Sequence, residues 1–86
     1  METKLVKINN RVGLHARPAA SFVKLARNFE SEIILKKDSK EANGKSIIGI
    51  MALGAQSGNE IEVCATGDDA KEAIEQLSEF LENLDD

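Results

Sequence analysis

Two stretches of the chain carry apolar residues at the three- and four-residue spacing of an amphipathic helix, and they constrain the fold most. The first stripe, in a stretch that begins at Ala16, comprises Ala19, Phe22, Val23, Ala26 and Phe29. The second stripe comprises Ala70, Ala73, Ile74, Leu77, Leu81 and Leu84. Such spacing buries one side of a helix. Each predicted helix therefore needs an apolar layer elsewhere in the chain.

Short segments of branched residues can supply that layer as a sheet. Residues 4–8 and 33–35 predict strands, residues 40–42 predict a weaker one, and residues 61–65 alternate between apolar and other side chains as a half-buried strand does. Ser46 precedes an apolar run and predicts a short N-capped helix that ends near Gly54. The element order is then βαββαβα, and the fold class is α+β, with the two long helices covering one face of the sheet.

Two further predictions come from the start of the last helix and from the length of the chain. Asp69 and Glu72 have the spacing of a capping box at the start of the last helix. The 86 residues suffice for one hydrophobic core and are too few for two, so residues 1–86 are predicted to form a single domain.

Composition excludes several classes of protein. No apolar run approaches the roughly 20 residues that span a bilayer, and the first residues lead into a strand pattern rather than a secretory segment. We expect a cytoplasmic protein without membrane insertion. A single cysteine, Cys64, allows no internal disulfide and no paired-cysteine metal site, and is expected to be a small strand residue.

Charge is distributed unevenly along the chain. Residues 1–45 hold ten of the eleven Lys and Arg, whereas residues 46–86 hold ten of the fifteen Asp and Glu. The halves carry about +5 and −9, so the basic half can attract an anionic group or an acidic partner. With a net charge of −4 and no Trp or Tyr, the chain lacks the features of a nucleic-acid-binding protein.

The only histidine, His15, lies where the first loop meets the first helix. A neutral imidazole keeps a lone pair that can attack phosphorus, and it is also a good leaving group. The N–H groups and the positive dipole end of the helix favour an anion there, and Arg17 adds a guanidinium that can pair with phosphate oxygens. Pro18 suits the first helical turn, and Gly13 permits a tight loop before it. The segment therefore predicts a phosphoryl acceptor.

The sequence Gly-Leu-His-Ala-Arg-Pro-Ala that begins at Gly13 resembles the active-site signature of the HPr family, and the similarity extends over essentially the whole chain. The resemblance implies an open-faced β-sandwich with a four-stranded antiparallel sheet. It implies a phosphocarrier rather than an enzyme, in which enzyme I phosphorylates His15 at Nδ1 and enzyme IIA units of sugar transporters receive the group. Ala16, Arg17 and Pro18 would surround the phosphate. No metal or organic cofactor is implied, and we expect a monomer.

The segment Lys-Ser-Ile at Ser46 resembles HPr of Gram-positive bacteria. N-capping alone is a sufficient role for this serine. The resemblance adds regulatory phosphorylation by an ATP-dependent HPr kinase/phosphorylase, linked to carbon catabolite repression. Ile47 and Met51 would be exposed contacts for enzyme I, enzyme IIA and a catabolite-control transcription factor. Val12 departs from the family, because many members have a small polar residue at this position.

Two other functions stay open at this point. An acyl carrier protein is also a small acidic carrier with a modified serine, but it would be mostly helical and would carry Asp-Ser-Leu instead of Lys-Ser-Ile. A regulatory member of the HPr family, devoted to nitrogen or carbon control rather than sugar uptake, could also retain the histidine.

Overall fold

The computed structural model describes residues 1–85, and its seven elements follow the predicted order βαββαβα. The strands are β1 (Glu2–Lys7), β2 (Glu32–Lys37), β3 (Lys40–Asn43) and β4 (Glu60–Thr66). The helices are α1 (Ala16–Ala26), α2 (Ile47–Ala52) and α3 (Ala70–Glu82). The prediction of one domain over residues 1–86 includes Asp86, which lies outside the described residues.

The four strands form one sheet in the order β1-β4-β2-β3, and every neighbouring pair is antiparallel. In β4, one of the two inner strands, Ile61, Val63 and Ala65 are buried on the face that the helices cover. α3 contacts β1 and β4, α2 contacts β3, and α1 packs against the other two helices. The α+β class and the helix-covered sheet are thus confirmed.

One hydrophobic cluster lies between the sheet and the helices. Its largest fully buried side chain is Phe22 of α1, whose ring lies 6.2 Å from that of Phe80 in α3, with the ring planes tilted by 59°. Cys64 is a buried residue of β4, as expected, and burial raises the pKa of its thiol. No helix within residues 1–85 combines the length and apolar character that crossing a bilayer requires.

The predicted capping box at Asp69 is wrong. Asp69 is the N-cap residue of α3, but its side chain makes no capping hydrogen bond. Its carboxylate instead accepts hydrogen bonds from the N–H groups of Glu30 and Ser31, at 2.9 and 3.0 Å, and from the Ser31 hydroxyl. These contacts lower the pKa of Asp69, chiefly through the Ser31 hydroxyl. The carboxylate therefore ties the α1–β2 loop to the start of α3.

Both long helices are shorter than their apolar stripes. α1 ends at Ala26, yet Phe29 remains buried in the turn that follows, and α3 ends at Glu82, two residues before Leu84. The stripe predicts which side chains face the core, whereas the helix ends depend on backbone hydrogen bonds that the stripe does not report.

Candidate functional site

The loop between β1 and α1 is held in shape by contacts that converge on Gly13. The side-chain amide of Asn10 donates to the Gly13 carbonyl at 2.8 Å, and the Leu14 N–H donates to the Ala55 carbonyl at 3.0 Å. Gly13 has φ +81°, and a Cβ there would lie 2.5 Å from the Ala55 oxygen. Only glycine fits this close approach without a shift of the backbone. The loop that joins α2 to β4 thus sets the position of the residues before His15.

His15 is the N-cap residue of α1, as the sequence predicts. Its backbone is extended, its carbonyl accepts the Ala19 N–H at 3.0 Å, and its side chain makes no capping bond. The residue is half-buried. Nε2 is buried without a hydrogen-bond partner among residues 1–85. A phosphoryl carrier requires that the imidazole ring is not enclosed in the core, and the half-buried His15 meets this requirement.

A shallow cavity of about 220 Å³ lies beside the imidazole and brings the predicted residues together. His15, Arg17 and Pro18 line it from α1, and Arg17 is exposed while Pro18 is buried. Since Pro18 has no N–H, it can shape the cavity but cannot donate to an anion. The remaining lining residues are Ser21, Phe80, Asn83, Leu84 and Asp85. Ser21 also lies on α1, whereas the other four residues come from the end of α3 and the segment after it. Sequence reasoning missed these four, because no local pattern places the end of α3 beside His15.

The start of α1 offers donors to an anion. The first N–H groups of a helix have no intrahelical acceptor, and Ala16 and Arg17 occupy the first two positions of α1. The first turn contains no acidic residue that would repel an anion. The site can therefore combine a ring nitrogen, backbone donors and a guanidinium around one phosphoryl group. In residues 1–85, no three His, Cys, Asp or Glu side chains are grouped to hold a metal ion.

A second group of predicted residues lies on α2. The Ser46 hydroxyl oxygen accepts the Gly49 N–H at 3.0 Å, which confirms Ser46 as the N-cap. Ile47 and Met51 are 39% and 45% exposed, as expected for docking residues. Ile48 is 83% exposed and was not singled out from the sequence. We call Ile47, Ile48 and Met51 the α2 apolar surface.

Comparison with known proteins assigns the family. A family model described as the PTS HPr component phosphorylation site matches residues 2–83. This chain belongs to the HPr family. The HPr phosphocarrier of Treponema pallidum is 41% identical over 83 residues, which cover 96% of this chain and 94% of that protein.

Two further members of the HPr family extend the comparison. The HPr-like protein Crh of Bacillus subtilis is 42% identical over 82 residues, which cover 95% of this chain and 96% of Crh. A crystal structure of Crh, described as a swapped dimer, matches with a TM-score of 0.78 and covers 98% of this chain and 99% of that one. A crystal structure of HPr from Thermoanaerobacter tengcongensis matches with a TM-score of 0.91 at 49% identity, covering 95% of this chain and 92% of that one.

Proposed function

We propose that this HPr-family protein carries phosphoryl groups on His15, receiving them from phosphorylated enzyme I and passing them to enzyme IIA units of sugar transporters. The observation that carries the proposal is the placement of the His15 ring at the start of α1, with Nε2 buried and Arg17 lining the same cavity. A nitrogen nucleophile, a cation and free amide donors are what a reversible phosphoryl acceptor requires.

Each residue has a distinct part in the transfer. Nδ1 of His15 attacks the phosphorus in line while the bond between the phosphorus and phosphorylated enzyme I breaks, and the reverse geometry serves the onward step. The guanidinium of Arg17 and the N–H groups of Ala16 and Arg17 hold the phosphate oxygens. These contacts are made from the exposed rim of the protein, so the bound group stays accessible. The chain works without a cofactor, and its partners catalyse the transfers.

The α2 apolar surface is proposed as the docking surface for enzyme I and enzyme IIA. Ile47 and Met51 expose large apolar side chains on the helix that leads, through Ala55, to the His15 loop. Exposed apolar groups of this kind mark interaction sites. A monomer presents this surface in full, and we propose that the protein acts as a monomer in the cytoplasm.

Ser46 is proposed as a regulatory phosphorylation site. Its hydroxyl is part of the cap of α2, so a phosphate there replaces a neutral cap and adds about two negative charges beside Ile47. Those charges would repel an acidic partner from the α2 apolar surface. An HPr kinase/phosphorylase is the proposed enzyme that phosphorylates Ser46, and a catabolite-control transcription factor is the proposed partner that binds the phosphorylated form.

The second candidate function is that of a regulatory phosphocarrier, which serves nitrogen or carbon control and takes no part in sugar uptake. The similarity to Crh, whose crystal structure is described as that of a catabolite repression protein, supports this second candidate. The two functions differ in one measurable step, the transfer from phosphorylated His15 to an enzyme IIA unit. Transfer that stops at His15 would support the regulatory function.

The test uses enzyme I with radiolabelled phosphoenolpyruvate. We expect an acid-labile, alkali-stable phosphate on His15 in the wild type and in Ser46→Ala, and none in His15→Ala. Label that persists in His15→Ala would reject the proposal. For Ser46, incubation with ATP and an extract of the source organism should add acid-stable phosphate that is absent from Ser46→Ala.

A further inference from the structure

The α2 apolar surface contains one side chain that an oxidant can change chemically. Met51 is 45% exposed, and it follows Ile47 by four residues, so both side chains lie on the same face of α2. Peroxides convert the thioether of methionine into a sulfoxide, which is polar and chiral. Oxidation of Met51 would therefore place a polar group in a surface whose other two members are isoleucines.

The other sulfur-containing side chains are either protected or distant from α2. Besides Met51 the chain has Met1 and Cys64. Cys64 is buried, and burial raises the pKa of its thiol, so little of the reactive thiolate forms at neutral pH. Met1 is 81% exposed, but it precedes β1, which lies at the opposite edge of the sheet from β3, the strand that α2 contacts. Met51 is therefore the accessible sulfur on the proposed docking surface.

The fold does not require the Met51 side chain to stay apolar. Core contacts in this part of the chain are made by Ile50 and Leu53, which are both buried, and the Met51 carbonyl accepts the Gly54 N–H at 3.1 Å through the backbone. In the free protein a sulfoxide oxygen on Met51 can point into water. Beneath a docked partner it would lose that water, and a buried polar group without a hydrogen-bond partner is unfavourable. Oxidation should thus weaken docking and leave the fold intact.

We propose that Met51 is a redox-sensitive modification site, at which oxidation by a peroxide weakens docking of the proteins that exchange phosphoryl groups with His15. The sulfur of Met51 attacks one oxygen of hydrogen peroxide, and the O–O bond breaks. The sulfur gives up two electrons and becomes a sulfoxide, while the second oxygen leaves with both protons as water. A methionine sulfoxide reductase would reverse the change. This proposal rests on the proposed docking function of the α2 apolar surface.

The test compares untreated and peroxide-treated wild type as substrates of enzyme I, over a range of carrier concentrations and after the peroxide has been removed. Mass spectrometry of peptides locates the added oxygen. Losing an interaction that is equally strong in the bound state and in the transition state raises KM and leaves kcat unchanged. We expect KM to rise about ten-fold on oxidation. Treatment with methionine sulfoxide reductase should restore the original KM, and circular dichroism spectra should match throughout.

Met51→Leu is the matched control, because leucine has nearly the volume of methionine and contains no sulfur. Each protein is compared with its own untreated sample, and peroxide should leave the KM of this variant unchanged although Met1 and Cys64 are still present. Adding Leu5→Met to it creates an exposed methionine on β1. Leu5 is 59% exposed and pairs with Glu62 on the sheet face that the helices leave open. The double variant should be oxidised there without a change in KM.

Three results would overturn the proposal. The first is treated wild type in which Met1 is oxidised and Met51 is not. The second is an unchanged KM once Met51 has been oxidised. The third is an equal rise of KM in treated Met51→Leu, which would assign the effect to another residue. Absence of phosphorylation in the untreated wild type would instead reject the proposed function itself, so the two failures are distinguishable.

Discussion

Replacing Gly13 by alanine should destabilise the protein through a clash that the structure locates. The residue has φ +81°, a conformation that costs an alanine about 1 kcal/mol. The added Cβ would lie 2.5 Å from the Ala55 oxygen and 2.8 Å from the Gln56 Cα. Both are backbone atoms, so neither can move aside as a flexible side chain would.

The clash also disturbs a hydrogen bond. The Ala55 oxygen accepts the Leu14 N–H at 3.0 Å, and moving it away lengthens a bond whose net contribution is about 1 kcal/mol. Overpacking of a well-packed contact adds a further cost of about 1 kcal/mol or more. The strain, the weakened hydrogen bond and the overpacking together should lower the free energy of unfolding of Gly13→Ala by about 3 kcal/mol.

Gly54→Ala separates the strain from the clash. Gly54 also has a positive φ, of 66°, but a Cβ there would meet nothing within 4 Å among residues 1–85. This variant should lose only about 1 kcal/mol. Urea unfolding followed by circular dichroism gives both free energies. Equal losses in the two variants would refute the reasoning, because they would mean that the His15 loop does not approach Ala55 as closely as described.

Three further predictions address charge, capping and transfer. Asp69→Asn should be less stable than the wild type at pH 7. Hydrogen bonds from Ser31 hold the pKa of Asp69 in the folded protein below its unfolded value of about 3.9. The stability that the ionised carboxylate contributes is therefore fully present above about pH 3.9, and it is lost as the pH falls through the lower folded-state pKa. Urea unfolding between pH 7 and pH 2 should therefore show the two proteins converging in acid, and a constant gap would contradict this. Ser46→Ala removes the acceptor of the Gly49 N–H and should lower the free energy of unfolding by about 1 kcal/mol, measured the same way; an unchanged value would show that the cap contributes nothing. Arg17→Ala should slow transfer from His15 at least about tenfold while thermal unfolding stays as in the wild type, since Arg17 is exposed; unchanged kinetics would remove Arg17 from the mechanism.

Local sequence determined the parts of the molecule that depend on neighbouring residues. The apolar stripes of α1 and α3 predicted which side chains are buried, because helix periodicity is a property of the chain itself. Ser46 capped α2 as predicted, since its partner Gly49 is three residues away. The position of His15 at the start of α1 was also predicted from neighbouring residues, because the helix pattern begins at Ala16.

Only the tertiary structure decided which distant residues meet. Asp69 could have capped its own helix, but it bonds to Ser31, 38 residues earlier, because the folded sheet brings these two ends together. The approach of Gly13 to Ala55 and the closing of the His15 cavity by Asn83 likewise join segments that share no local pattern. Such contacts are set by the strand order and by packing of the helices on the sheet, which no spacing within the sequence reports.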